Sequence, residues 1–230
     1  MQFTKTKLAL ALAGLALFGA QAVSAAPLAS GNTVMIADGP GNGPGGEFIL
    51  TYASGSFLSF CVEHNEFINV PGGPYTVTLN SNAVNGGTGF AATYGGFNAD
   101  VSGAAGADPL SNATAWVYSK YLAGALSGQI VGNAASADKA QAAIWFLENE
   151  TGGALNSWAT AAIAAVNGGW TNPGVAGHVY VLNLTAADGL HQDQLYMAPI
   201  PEPETYAMLL AGLGLMGFVA RRRQRTLAAA

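Results

Sequence analysis

The chain has 230 residues, a formal net charge of −5 and only 9% charged residues, well under the ~25% of an average globular protein. Between residues 26 and 199 the basic side chains are Lys120 and Lys139, and no arginine occurs there. Nucleic acid and anionic lipid surfaces are therefore excluded as partners of that region, because phosphate binding needs clustered Lys or Arg.

The chain opens with "MQFTKTKLALALAGLALFGAQAVSA". Lys5 and Lys7 precede an apolar run from Leu8 to Ala20, and Val23-Ser24-Ala25 is a small-residue cleavage pattern. The run is too short for a transmembrane anchor, so residues 1–25 read as a secretory signal peptide cut after Ala25. Residues 26–199 then form one extracellular body of ordinary domain size.

From Ser30 to about Asp108 the body reads as strands and glycine loops. "EFILTY" (47–52), "SFLSFCV" (56–62) and "PYTVTLN" (74–80) are rich in β-formers and bounded by Gly, Pro and Asn. In the third, Tyr75, Val77 and Leu79 face one way and Thr76, Thr78 and Asn80 the other. "ASG" between the first two is a hairpin-type connection. "GNGPGG" (41–46) satisfies G-x-G-x-x-G. It precedes a strand instead of following one, so it reads as a turn-rich loop and not a dinucleotide cradle. Residues 83–108 read as a loop rich in Gly, Ala and Asn.

Helical signals follow. Asp108 and Pro109 read as the cap and first residue of a helix to about Leu126, with Ala113, Trp116, Val117 and Tyr121 on one face. Ser136 reads as the cap of a second, with Ala140, Ala143, Ile144 and Leu147 at helical spacing and Gly152-Gly153 as its end. A third spans Ala154 to Val166, with Leu155, Trp158, Ala162 and Val166 inward. Strand pattern returns at "HVYVLNL" (178–184) and "QLYM" (194–197). The order strands, helices, strands implies an α+β body: a β-sandwich or barrel-like sheet carrying a helical insertion. Trp116, Trp145 and Trp158 read as core, whereas Trp170 in "GGWTNPG" lies in a loop and is a possible ligand contact.

The chain closes with a different composition. Pro201-Glu202-Pro203 is extended, because proline and the residue before it both resist helix. An uncharged apolar run from Ala207 to Ala220 follows, then Arg221, Arg222, Arg223 and Arg225. Such a helix spans roughly 21 Å, short of the ~30 Å hydrocarbon core. Tyr206 and the arginines extend its reach, and the arginines favour the cytoplasmic side, which leaves the body outside.

From about Ile200 to Arg225 this order resembles the PEP-CTERM sorting signal of Gram-negative bacteria. The resemblance implies recognition by an exosortase, an integral membrane peptidase that processes the tail near the Pro-Glu-Pro. It also implies transient inner-membrane association through residues 207–220 and a destination at the cell surface or in an exopolysaccharide-rich biofilm matrix.

Cys61 is the single cysteine. With His64, His178 and His191 it lacks the paired short spacings of zinc sites, so neither a metal nor a cofactor is expected. It sits in a strand pattern, not at a helix N-terminus that would activate it for a Cys-His pair. Phe60-Cys61-Val62-Glu63 and Ala140-Gln141-Ala142-Ala143-Ile144-Trp145 together resemble the two halves of the thioester domains of bacterial surface adhesins. The resemblance covers about Ser56 to Glu150 and implies an internal thioester joining Cys61 to Gln141. It also implies a β-sandwich with a helical insertion. Ala140 stands where that family usually has Thr, which removes a hydroxyl that could polarise the site. The alternatives for Cys61 are a buried packing residue and an intermolecular disulfide.

The expectation is thus a non-enzymatic, exported surface or matrix protein. Covalent adhesion through Cys61 and Gln141 would acylate an amine or hydroxyl on a polysaccharide or neighbouring protein. Non-covalent binding of exopolysaccharide by a structural matrix protein is the second reading, and a matrix-processing enzyme the third. No convergent set of catalytic acids supports the last.

Overall fold

The computed structural model describes residues 26–42, 45–64, 66–84, 107–150, 152–174, 177–199 and 209–217. The signal-peptide segment 1–25, Pro201-Glu202-Pro203 and the terminal arginines lie outside the described residues, as does most of the loop expected over 83–108. Its two ends are described, and they pair as a short ribbon of β5 (Asn82–Val84) with β6 (Ala107–Pro109).

The main sheet has six antiparallel strands: β1 (Thr33–Asp38), β2 (Phe48–Tyr52), β3 (Gly55–Ser59), β4 (Gly72–Asn80), β7 (Val179–Ala186) and β8 (Gly189–Met197). Their spatial order is β3-β2-β1-β4-β7-β8. Alternation decides the inner face. Val34 and Ile36 of β1, Leu50 of β2, and Tyr75 and Val77 of β4 are buried, while Thr33, Met35, Thr76 and Thr78 are exposed. The sheet curls until β8 meets the chain leaving β3. There the Leu195 N–H donates to the Phe60 carbonyl (3.1 Å) and the Val62 N–H to the Asp193 carbonyl (3.0 Å). Cys61 bridges Gln194 between them. Of the two sheet forms expected, the described residues show the barrel-like one, as a half-barrel.

The helical insertion stands between β6 and β7. It comprises α1 (Asn112–Leu122), α2 (Ala134–Leu147) and α3 (Ser157–Asn167). The starts differ from the sequence reading because other side chains reach the free N–H groups first. Ser111 caps α1 by accepting from the Thr114 N–H, and Asp108 sits instead in β6. Asn133 caps α2, while the Ser136 hydroxyl accepts from the Ile130 N–H. Helix α2 ends at Leu147, before the Gly152-Gly153 pair. Asn156 caps α3, which leaves Leu155 ahead of the helix and 61% exposed instead of inward. Trp116 is half-buried at the margin of the core.

Two apolar clusters result. One fills the curl of the sheet, with Val34, Ile36, Leu50, Val77, Leu182, Leu184 and Cys61. The other joins helices to sheet, with Phe60, Val62, Tyr118, Tyr121, Ile144, Leu147, Trp158 and Leu195. Residues 209–217 form a fully exposed helix, α4. Among the described residues no helix is long and apolar enough to cross a membrane.

Tyr118 of α1 reaches across the seam of the half-barrel. Its hydroxyl lies 2.5 Å from the Leu58 carbonyl and 3.2 Å from the Leu195 carbonyl, one on each side. Tyr118→Phe removes the hydroxyl donor facing the Leu58 carbonyl, while the Leu195 carbonyl keeps the Ser59 hydroxyl at 2.7 Å. It is expected to lower stability by about 1–3 kcal/mol in urea titration, with the far-UV spectrum unchanged.

Candidate functional site

Past Ser59 the chain keeps an extended course, so successive side chains alternate. Phe60 and Val62 enter the helical cluster, and Cys61 between them points into the curl. Cys61 is fully buried and unpaired with any other cysteine. Helix α2 passes close by because its packed face is built largely of small side chains, Ala137, Ala140 and Ala143, all fully buried. That close approach carries Gln141, 2% exposed, onto the Cys61 backbone.

Cys61 and Gln141 are 80 positions apart and in direct contact. The Gln141 Oε1 accepts from the Cys61 N–H at 3.1 Å and from the Gly46 N–H at 3.2 Å. The Gln141 Nε2 donates to the Cys61 carbonyl at 2.9 Å. The amide orientation is unambiguous. Two backbone donors face one end and a backbone acceptor faces the other, and only Oε1 toward the donors satisfies all three.

The thiol has its own surroundings. It donates to Gln192 Oε1 at 2.9 Å and receives a long contact of 3.7 Å from Gln194 Nε2. Gln192 in turn donates to the Glu63 carbonyl, and Ser59 Oγ donates to Gln194 Oε1. Burial pushes the Cys61 thiol up to about 12, against a weaker lowering by Gln194. The sulfur is therefore a protonated thiol at neutral pH.

Trp145, one helical turn past Gln141, shields the pair. Gly45 lies flat on it: a Cβ at position 45 would fall 2.6 Å from Trp145 Cζ2 and 3.0 Å from Gln141 Cδ. His64 packs edge-on to the Trp145 ring at 4.6 Å between centroids. The indole N–H of Trp145 is buried with no hydrogen-bond partner among the described residues. Trp145, His64 and Gln192 also line a cleft of about 410 Å³, together with Asp38, Phe48, Glu66, Phe67, Ile68 and Val70. Cys61 and Gln141 do not line this cleft; it borders the pair through Trp145 and through Gln192, which accepts from the Cys61 thiol.

Beside it, Glu63, Glu66 and Asp193 bring their carboxyl oxygens within 4.8 Å of one another. These are the residues that could hold a divalent cation. Asp193 is fixed by the Val84 N–H (2.6 Å) and Asn183 Nδ2 (2.8 Å). Burial raises Glu63 to about 11, reinforced by the charges of Asp193 and Glu66. Burial likewise holds Asp193 well above the usual carboxylate range.

The remaining expected contact, Trp170, is half-buried against the helical cluster and does not line the cleft. Sequence reading missed the Gly45-Gly46 contacts and the run Gln192-Asp193-Gln194. A strand with three consecutive buried polar residues was the available signal. Residues 199–223 match the PEP-CTERM protein-sorting motif. No curated protein and no solved structure matches the chain. The motif marks the chain for export and membrane-associated sorting in Gram-negative bacteria, with exosortase, a membrane protein, as its recognising partner.

The raised Glu63 carboxyl fixes the sign of one pH effect. The unfolded chain releases this proton near the ordinary 4.5, whereas the folded chain retains it to about 11. The unfolded state then binds fewer protons over that interval, so the group's contribution is full below 4.5 and lost as pH rises. Thermal melts from about pH 4 to about pH 9 should show a declining midpoint, and Glu63→Gln should flatten the decline.

Proposed function

We propose that this is an exported, non-enzymatic adhesion protein that attaches covalently, once per molecule, through an internal thioester between Cys61 and Gln141. The observation that carries the reading is the clasp of the Gln141 carboxamide by both backbone polar groups of Cys61. The thiol belongs to that same residue, and rotation about its Cα–Cβ bond is the side-chain freedom that brings Sγ toward Gln141 Cδ.

The chemistry balances without a cofactor. Sγ attacks Cδ, the Cδ–Nε2 bond breaks, and ammonia leaves with the thiol proton. The product is a Sγ–Cδ thioester. A site 0–2% exposed at its two reacting residues keeps water from hydrolysing the bond. An amine or hydroxyl of a matrix polysaccharide or a neighbouring protein then attacks Cδ through the cleft beside Trp145. The acyl group passes to it, and the thiol is regenerated. One acyl group is spent per molecule, so there is no turnover.

The PEP-CTERM tail supplies the address for this chemistry: exosortase handling at the membrane, then the cell surface or extracellular matrix. A structural matrix protein that binds exopolysaccharide without a covalent bond is the second reading. Its candidate contact is Trp170, which is partly exposed at the edge of the helical cluster.

Exported protein incubated with a biotinylated amine and with a hydroxyl-bearing polysaccharide should form adducts that survive boiling in detergent, with the label on Gln141. Cys61→Ala and Gln141→Ala should both reduce the adduct to background. Adhesion that persists in both variants and is lost on changing Trp170 would support the non-covalent reading instead.

A further inference from the structure

Both lone pairs of the Gln141 carbonyl oxygen are engaged, and both donors are rigid backbone N–H groups, at 3.1 and 3.2 Å. The two donors come from separate segments, the seam residue Cys61 and the glycine-rich loop that ends at Gly46. Neither can rotate away as a side-chain donor could. Gly46 has φ 146°, a conformation that side-chain-bearing residues rarely adopt, and its N–H donates to Gln141 Oε1. Gly45 lies against Gln141 Cδ and Trp145 so closely that a methyl group there would displace one of them. Asp138, one turn before Gln141 on α2, accepts from the Asn42 N–H at 2.8 Å and ties the loop to the same helix.

We propose that the Gly46 and Cys61 N–H groups form an oxyanion hole at Gln141 Oε1, and that the glycine-rich loop is thereby a catalytic element of thioester formation and of acyl transfer. This rests on the thioester reading. In the forming direction, Sγ adds to Cδ and the carbonyl electron pair moves onto Oε1. The two N–H groups hold that negative charge until the pair returns and ammonia departs with the thiol proton. In the transfer direction, the incoming amine or hydroxyl adds to the same carbon, the same oxygen takes the charge, and Sγ leaves as the thiol with the nucleophile's proton. Preorganised donors in a dry site stabilise such an intermediate far more than they stabilise the ground-state amide.

The test replaces the Gly46 amide by an ester, with glycolic acid incorporated at position 46 of the full chain, which exchanges that N–H for an oxygen and leaves every side chain in place. Ammonia loss is followed by intact mass after cell-free synthesis. The wild type should complete the reaction. The ester variant should react about 100-fold more slowly, the order seen on removal of one oxyanion donor, with a native circular dichroism spectrum. Equal rates would overturn the oxyanion assignment while leaving the thioester intact. A wild type that never loses ammonia would refute the thioester itself. If the ester variant fails to fold, isotope-edited infrared spectroscopy of wild type carrying ¹³C at Gln141 Cδ decides. A carbonyl stretch shifted to lower frequency than that of a free alkyl thioester is expected, and an unshifted band would overturn the proposal.

Discussion

A single buried carboxamide joins the two layers of this molecule at their most sensitive point. Gln141 projects from α2 and bonds to both polar groups of the Cys61 backbone, at the seam where β8 closes on the chain leaving β3. A buried amide left unpaired costs about 1–3 kcal/mol, so the register of α2 over the seam is specified by chemistry and not by apolar packing alone. The stripe of small residues on α2 serves that contact. Ala137, Ala140 and Ala143 hold the helix axis close enough for one glutamine to span the gap.

Around this contact the protein places polar groups where a core would normally be apolar. Ser59, Gln192, Asp193 and Gln194 are all buried. The Ser59 hydroxyl donates to Gln194 Oε1, Gln194 Nε2 contacts the Cys61 sulfur, and Gln192 Nε2 donates to the Glu63 carbonyl. Such a network is costly unless satisfied throughout, and it fixes one arrangement when it is. The scarcity of cations matters as well. Lys120 and Lys139 sit over Trp116 and Trp158 on the helical side. Neither is placed to neutralise Glu63 and Asp193, and burial keeps both carboxyls well above their ordinary range.

Much of the fold was legible because its signals are local. The alternation in 74–80 gave β4, with Tyr75 and Val77 inward, and the spacing of Ala140, Ala143, Ile144 and Leu147 gave the packed face of α2. The cap positions were less legible, since Asp108, Ser111, Asn133 and Ser136 are all competent caps and tertiary position chose among them. β1 carries only a weak local sign, because Val34 and Ile36 are its two inward residues and glycine-rich loops flank so short a run. The pairing of Cys61 with Gln141 came from resemblance of two short motifs, not from periodicity. The glycine loop's place over Gln141 was invisible, because a loop that follows no strand and opens no helix carries no local sign of what its N–H groups face.

The PEP-CTERM motif states where the chain is handled, through its tail. The chemistry proposed for the body is separate and rests on the Cys61–Gln141 contact, as an internal thioester. Intact mass of the exported protein, purified without reductant or amine, tests it most directly. The thioester requires a mass one ammonia below that calculated for the processed chain, rising by one methylamine on treatment with methylamine. The full calculated mass together with one alkylatable thiol after unfolding would contradict it, and would leave Cys61 as a packing residue beneath a satisfied glutamine.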